Sequence, residues 1–200
     1  MSKFDSKREM IKAAGIKSFA MFGYRKTTLE DIASVINMKK NSLYYYFESK
    51  DALFKEIIED TISKHYQKAN EILHRDMNAS EKLFMMMDCL SEFILKRTKE
   101  YTVKISSYLE ISKVIKKSFP DFREKEISML STILKEGVSR NEFIEHDADT
   151  LARDIAELIP SIFTYQYIIS DSEFVKDVEF ENIVNIVRRH ITYILNGLKK

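Results

Sequence analysis

The chain has 200 residues, of which 44% are hydrophobic and 32% are charged, and its formal net charge is +1. This composition indicates a globular chain of one or two domains, and it excludes a membrane-spanning helix because no stretch reaches roughly 18 uninterrupted apolar residues. The single cysteine excludes an internal disulfide, and with no signal-peptide pattern at the N-terminus we expect a cytoplasmic protein.

Helical periodicity dominates the chain, and glycine and proline are scarce, so the sequence predicts an all-α fold of about nine helices. Gly23 is expected to end the first helix, and Ser49 to cap the long fourth one. Asn78 with Glu81 predicts a capping box. The predicted helices before the final two cover about 5–22, 28–36, 39–46, 49–72, 79–98, 99–117 and 122–136, the last of which Gly137 is expected to close.

Residues 27–47 have the pattern of two short helices joined by a tight turn, which is a helix-turn-helix. Thr27 with Glu30 predicts a capping box at the first of these helices. Asn37 stands at the turn, where its side chain type tolerates the left-handed backbone conformation. One side of the first helix is expected to face inward through Leu29, Ile32, Ala33 and Ile36.

The second short helix offers ammonium, amide, hydroxyl and phenol groups, which suit the major groove and the phosphates of DNA. Residues 1–50 hold 10 Lys and Arg against 5 Asp and Glu, giving +5, whereas residues 51–200 carry a net charge of −4. The alternative is a charged surface turn between two core helices. The predicted DNA contacts are Thr27, Thr28, Lys39, Lys40, Asn41, Ser42, Tyr44, Tyr45 and Lys50.

The order and spacing of short motifs resemble the DNA-binding region of the TetR family of transcriptional repressors. These motifs are Phe19 to Tyr24, Thr27-Thr28, Ile32-Ala33, Leu43-Tyr44, Tyr46-Phe47, Ser49-Lys50 and Leu53. The chain departs from the family at Ile36-Asn37, Asn41 and Tyr46. The resemblance implies a three-helix DNA-binding domain over 1–48 and a helical effector-binding and dimerisation domain over 49–200. It also implies a repressor that a small-molecule effector releases from a palindromic operator on double-stranded DNA.

Three consecutive methionines, 85–87, stand near several aromatic residues in the middle of the chain, where the resemblance implies an effector cavity. Thioethers and aromatic faces adapt to apolar ligands of varied shape, so we expect a largely hydrophobic effector. The alternative is a plain core. The predicted pocket residues are Phe84, Met87, Phe93, Tyr101, Tyr108, Phe122, Phe163 and Gln166, and further candidates for a polar contact are Arg97, Glu110 and His146.

Two apolar stripes on the final two helices repeat with spacings of 3 and 4, which is typical of a helical-bundle seam. They predict a homodimer that places two DNA-binding units about 34 Å apart. Pro160 is expected to kink the first of these helices. The alternative is that both stripes only close the monomer's core. The predicted interface comprises Leu151, Ile155, Leu158, Ile162, Phe180, Val184, Val187, Ile191 and Ile194.

Two other classes of function remain to be weighed. An enzyme is disfavoured because Cys89 lies in an apolar helix, the four histidines lack metal-ligand spacing, and no glycine-rich phosphate loop exists. We therefore expect no catalytic residue, metal or cofactor. The second alternative is a helical lipid or small-molecule carrier whose basic N-terminal unit contacts an anionic membrane. A DNA-binding regulator, by contrast, is expected to have no membrane partner.

Overall fold

The computed structural model describes residues 3–200, with side chains described at all of these positions except 96–100. Nine α-helices make up this part of the chain, so the predicted all-α fold is confirmed. A single short 3-10 turn, Val175–Asp177, precedes the last helix. The helices are α1 (Lys3–Phe22), α2 (Leu29–Val35), α3 (Lys40–Tyr44), α4 (Lys50–Leu73), α5 (Ala79–Glu100), α6 (Ile105–Ser118), α7 (Pro120–Ser139), α8 (Ala148–Ile169) and α9 (Phe180–Leu198).

Two of the predicted helix caps are confirmed. The Ser49 hydroxyl accepts a hydrogen bond of 3.0 Å from the Ala52 N–H at the start of α4. At the start of α5, Asn78 and Glu81 exchange side chain to backbone hydrogen bonds in both directions. Each cap satisfies backbone donors that an isolated helix end leaves unpaired, which explains why both helices begin at these positions.

The capping box of α2 is formed by Thr28 and Asp31, and the prediction of Thr27 with Glu30 is wrong by one residue. The Thr28 hydroxyl accepts from the Asp31 N–H, and the Asp31 carboxylate accepts from the Thr28 N–H at 2.9 Å. Thr27 is instead turned inward, where its hydroxyl donates to the Gly23 carbonyl at 2.7 Å. The cap therefore belongs to the one threonine whose side chain stays outside the core.

Helices α6 and α7 both differ from the predicted bounds. Residues 101–104 are extended because they pair with the α8–α9 connection, through hydrogen bonds from Ile105 N to Glu173 O and from Val175 N to Val103 O. Helix α7 begins at Pro120, which suits a first helical turn. It continues through Gly137 to Ser139, and the Phe143 ring packs directly against that glycine, where a β-carbon would overlap the ring.

The buried side chains form two separate clusters, and α4 contributes to both. The first cluster joins α1, α2, α3 and the first half of α4, with partly buried residues of α6 packed against it. The second cluster joins the end of α4 with α5, α7, α8 and α9, together with Ile105 of α6. We call the first group the N-terminal unit and the second the C-terminal unit. Helix α4 therefore connects the two units as one continuous helix.

Candidate DNA-binding surface and ligand cavity

The geometry of residues 28–45 is that of a helix-turn-helix, as predicted. Asn37 adopts a φ of +51°, the left-handed conformation that was expected of it. The Met38 N–H donates to the Ala33 carbonyl at 2.9 Å, which closes the turn against the end of α2. The Leu43 side chain is fully buried and anchors α3 to the first core. Helix α3 has only five residues, which is too short to be stable in isolation, so its stability depends on these tertiary contacts.

Seven of the nine predicted DNA contacts are exposed, one is half-buried and one is buried. Lys50 is the half-buried residue. Thr27 is only 1% exposed, so its prediction as a DNA contact is wrong, because its hydroxyl is used inside the fold. The exposed group, called the basic face below, comprises Thr28, Lys39, Lys40, Asn41, Ser42, Tyr44 and Tyr45.

Lys40 of the basic face forms an ion pair. Its ammonium forms an ion pair with Glu30 on α2 and lies 5.9 Å from the centroid of the Tyr44 ring. The hydrogen bond from Lys40 lowers the pKa of Glu30, and the same bond raises the pKa of Lys40. Because both side chains face solvent, a phosphate can replace Glu30 as the partner of Lys40 at small cost.

Lys50 holds the loop that precedes α2. Its ammonium donates to the Tyr24 carbonyl at 2.9 Å and lies 4.4 Å from the centroid of the Tyr24 ring. The Tyr24 hydroxyl donates to Asp51, and burial together with this carboxylate raises the pKa of Tyr24 to about 12. Lys50 therefore has an internal role in addition to its position at the positive end of α4.

Two cations of α1 lock the N-terminal unit together, and sequence reasoning did not single them out. Arg8 forms an ion pair with Glu56 of α4, donates to the Tyr46 carbonyl at 2.6 Å and lies 4.2 Å from the Phe47 ring centroid. Lys12 is 8% exposed, and its ammonium lies 2.5 Å from a carboxylate oxygen of Asp60. Part of the +5 charge of residues 1–50 is thus neutralised by acids of α4.

The predicted pocket residues do not surround one cavity. Met87 lines a small cavity, Phe93 and Tyr101 line a larger groove, and Phe122 stacks on Phe119 near the surface. The remaining predicted residues are packed elsewhere or lie outside the described side chains. Tyr108 and Phe163 flank Tyr167 in the core, Phe84 packs against the second cluster, Gln166 is half-buried, His146 bonds the Ile144 carbonyl, and Arg97 is not described.

The small cavity has a volume of about 20 Å³ and lies between α4, α5, α7 and α8. Beside it, the larger groove of about 810 Å³ runs between α1, α4 and α5. His65 lines both spaces, so its ring is part of the wall between them. The residues around the cavity are His65, Tyr66, Ala69, Met86, Met87, Leu90, Glu126, Met129, Leu130 and Ile159.

Glu126 is the only ionisable carboxyl group among these lining residues, and sequence reasoning missed it. Burial raises its pKa to about 7, while the positive charge of Arg123 acts in the opposite direction. Arg123 itself donates to Glu157 on α8 at 2.7 Å. No sequence pattern indicated this site. Glu126 follows three other charged residues, Arg123, Glu124 and Lys125, so it resembles part of a solvent-exposed helix face.

Three residues of the predicted dimer seam lie inside the single chain. Ile155, Val187 and Ile191 are each 1% exposed and belong to the second core, so their prediction as interface residues is wrong. These three positions lie on the inward faces of α8 and α9, because α9 packs against both α5 and α8. The other predicted residues, Leu151, Leu158, Ile162, Phe180, Val184 and Ile194, are half-buried.

Further apolar side chains, including Tyr165 and Ile169 of the predicted α8 stripe, face outward on the last turns of α8 and on α9. Tyr165, Ile168 and Ile169 are 54% to 62% exposed, and Tyr193 is 68% exposed. On α8 these residues continue the outer side of the helix from Ile162. Contiguous exposed apolar residues, such as the three at the end of α8, mark interaction surfaces more often than isolated ones do.

Within the part of the chain that the structure describes, no group of three or more His, Cys, Asp or Glu residues could hold a metal ion. None of the helices described there combines the length and the hydropathy needed to cross a bilayer. Burial raises the pKa of Cys89, whose sulfur lies 3.8 Å from the His65 ring nitrogen. A thiol in this environment is protonated and unreactive.

Residues 11–57 match the family described as bacterial regulatory proteins, tetR family. The chain is 31% identical over 99 residues to the HTH-type transcriptional regulator YhgD of Bacillus subtilis (strain 168), covering 50% of this chain and 51% of that protein. It is 36% identical over 98 residues to IcaR, the HTH-type negative transcriptional regulator of the biofilm operon icaADBC in Staphylococcus aureus (strain Newman), covering 48% and 49%. The chain therefore spans about half the length of these curated relatives.

Among solved structures, the fold is similar to that of a transcriptional regulator from Cytophaga hutchinsonii ATCC 33406. The TM-score is 0.73 at 24% sequence identity, and the match covers 98% of this chain and all of the other. This likeness shows that the helical architecture is shared beyond residues 11–57. The family and the relatives named above are regulators of transcription, and not enzymes.

Proposed function

We propose that this chain, which belongs to the TetR family of bacterial regulators through its residues 11–57, is a repressor that leaves a palindromic operator when an effector binds. The observation that carries this proposal is the basic face, in which seven exposed polar or aromatic residues surround a helix-turn-helix anchored by Leu43. Lys39, Lys40 and Thr28 suit phosphates, and Asn41 and Ser42 are placed to contact base edges. We place its action in the cytoplasm, where operator DNA is found.

A homodimer is the form that suits a palindromic site. A single α3 of five residues presents too few contacts for tight binding, and two copies one helical turn apart add their contacts. We assign the interface to the outer sides of α8 and α9, around Ile162, Tyr165, Ile169 and Tyr193. The exposure of Tyr165, Ile169 and Tyr193 in the single chain supports this assignment over the buried stripe.

The effector is proposed to bind in the groove between α1, α4 and α5 and in the adjoining small cavity. The groove's volume of about 810 Å³ falls within the ~300–1,000 Å³ typical of small-molecule sites. Because the groove touches α1 of the N-terminal unit, filling it changes how α1 and α4 pack. A hundredfold preference for the DNA-incompetent arrangement supplies about 2.7 kcal/mol of coupling, and DNA must then weaken effector binding by the same factor.

The first experiment selects tight-binding duplexes from a random pool and measures affinity against salt concentration. Lys40→Ala is expected to lower affinity similarly on all duplexes and to reduce the salt slope by about 1. Lys135→Ala is the matched control, because Lys135 is equally exposed and ion-paired, with Asp149 in the C-terminal unit. Failure to select any duplex, together with binding to anionic vesicles, would favour the carrier instead.

A further inference from the structure

A surface depression of about 480 Å³ lies where α1 meets the helix-turn-helix. Three residues of the basic face, Lys39, Ser42 and Tyr45, line it together with Lys7 and Met10 of α1. Sequence reasoning did not single out the two residues of α1. We call this space the α1–α3 depression, and its remaining lining residues are Ile36, Asn37, Met38 and Tyr46. The depression therefore extends the basic face onto a helix outside the helix-turn-helix.

The charges that line the α1–α3 depression are all positive. Lys7 and Lys39 are the charged residues among the described lining residues, and no aspartate or glutamate stands with them. Both lysines are exposed, and within the described part of the chain no side chain pairs with either ammonium. Two ammonium groups without an acid attract an anion such as a phosphate. The groove between α1, α4 and α5 differs, because its lysines are offset by acids: Lys12, Lys64 and Lys68 by Glu9, Asp60 and Glu92.

Helix α1 uses its cations in two different ways. Arg8 and Lys12 face the fold, where they are ion-paired with Glu56 and Asp60 of α4. Lys7 precedes Arg8 by one residue, so its side chain leaves the helix about 100° around the axis from that of Arg8. It therefore lies beside the helix-turn-helix, away from the acids of α4, and its charge is available to a ligand.

Aromatic contacts fix the first turns of α1 against the residues that follow α3. The centroid of the Phe4 ring lies 4.8 Å from that of Tyr46 and 5.9 Å from that of Tyr45, and the second pair is edge to face. Such ring pairs stabilise a contact beyond the area that they bury. One turn further along α1, Arg8 donates to the Tyr46 carbonyl at 2.6 Å. Lys7 lies between these two anchors, so its backbone position is fixed relative to the basic face.

We propose that Lys7 is a phosphate contact outside the helix-turn-helix and that Phe4 is the residue that positions it. This inference rests on the proposed function, because it extends the DNA surface of the same regulator. When the basic face enters the major groove, Lys39 and Tyr45 lie against the duplex, and Lys7, which lines the same depression, meets the backbone beside them. A lysine that neutralises a phosphate releases condensed counterions, so it adds affinity without reading the sequence.

The test uses duplexes selected by the unmodified full chain and measures affinity against salt concentration. Lys7→Ala is expected to reduce the salt slope by about 0.9 for each Lys7 that contacts DNA, and to weaken binding roughly five- to tenfold at 0.1 M salt on specific and unrelated duplexes alike. Lys7→Arg keeps the charge, so it should keep the slope. Lys199→Ala is the matched control, because Lys199 is also exposed and has no described ion pair, but follows α9 in the C-terminal unit.

The role of Phe4 is tested through its coupling to Lys7. In a Phe4→Ala background, Lys7→Ala is expected to change the salt slope much less, because the first turns of α1 have lost their anchor. Phe4→Tyr keeps a ring and should restore the full effect of Lys7→Ala. Phe4 is 41% exposed, so its replacement should leave the chain folded, which circular dichroism measures. Additive effects of the two substitutions on the slope would show that Phe4 does not position Lys7.

Two results would overturn the phosphate contact. One is a salt slope that Lys40→Ala lowers and Lys7→Ala leaves unchanged, which refutes the role of Lys7 and leaves the repressor standing. The other is a loss of affinity for anionic vesicles in Lys7→Ala without any change in duplex binding, which assigns this lysine to a membrane surface. A chain that selects no duplex at all refutes the proposed function itself, and Lys7 then has no DNA partner.

Discussion

The carboxylate of Glu110, on α6, accepts a hydrogen bond of 2.7 Å from the backbone N–H of Arg25 in the loop before α2. A second bond, from the Lys104 N–H to the Ala20 carbonyl at 3.1 Å, joins the start of α6 to the end of α1. Helix α6 is therefore a second connection to the helix-turn-helix, beside the continuous rod of α4.

Glu110→Ala tests this connection directly. Removing a charged acceptor from a partly solvated bond is expected to lower the free energy of unfolding by about 1 kcal/mol. It should also speed hydrogen exchange at the Arg25 amide, because that N–H loses its partner. Urea denaturation and NMR exchange measure the two effects, with the exposed Glu124→Ala as control. Unchanged exchange at Arg25 would show that the bond does not persist in solution.

Gly23 lies against the same carboxylate in a left-handed conformation, with φ at +83°, and a β-carbon there would overlap Glu110. Gly23→Ala is therefore expected to lower the free energy of unfolding by at least about 1 kcal/mol from backbone strain alone. In a Glu110→Ala background the loss should shrink to this backbone part. Gly197→Ala, which meets open space within α9, should not lower stability. Equal losses of unfolding free energy from Gly23→Ala in both backgrounds would show that overlap with the Glu110 side chain contributes nothing.

Substitution of Thr27 is expected to change the stability of the fold and not duplex binding, unlike substitution in the basic face. Thr27→Val keeps the side-chain shape but removes the donor to the Gly23 and Ser18 carbonyls, so stability should fall by about 1–2 kcal/mol. The salt slope of duplex binding should not change, because Thr27 does not reach the surface. Thr102→Val, at an exposed position, should alter stability by less than about 0.5 kcal/mol. A reduced salt slope of duplex binding in Thr27→Val would show that Thr27 does contact DNA.

The raised pKa of Glu126 makes stability depend on pH. Its value of about 7 in the folded chain exceeds the ordinary 4.5, so the folded state binds the proton more tightly. The resulting stabilisation is complete below about pH 4.5 and is lost as the pH rises through 7. Relative to the unmodified chain, Glu126→Gln should therefore gain about 3 kcal/mol between pH 4.5 and pH 8. Urea denaturation at both pH values measures this gain, and a constant difference would contradict it.

The dimer interface can be tested by charge at the outer side of α8. Tyr165→Glu combined with Ile169→Glu is expected to give folded monomers in sedimentation velocity, because two exposed apolar residues are replaced by carboxylates. Val187→Glu should instead unfold the chain, since it places an unpaired charge in the core. Ile144→Glu is the control, because Ile144 is 42% exposed and lies in the loop between α7 and α8. A double variant that remains dimeric would place the interface elsewhere.

Local physical chemistry let the sequence alone predict much of this protein. The caps at Ser49 and Asn78, the left-handed turn at Asn37 and the inward position of Leu43 follow from interactions within a few residues. The all-α class and the family resemblance follow from the same local patterns, repeated in order along the chain. Most of the basic face was predictable for the same reason. Its residues are the polar and aromatic positions that remain exposed when α3 buries Leu43.

Only the tertiary structure decided the features that depend on which helix faces which. A stripe with spacings of 3 and 4 fits a partner subunit and the monomer's own core equally well, and the packing of α9 on α5 and α8 chose the core for Val187 and Ile191. The same holds for Thr27, whose neighbour Thr28 differs from it only in orientation. Glu126 could not be recognised in the sequence, because its environment consists of residues from four helices that come together only on folding.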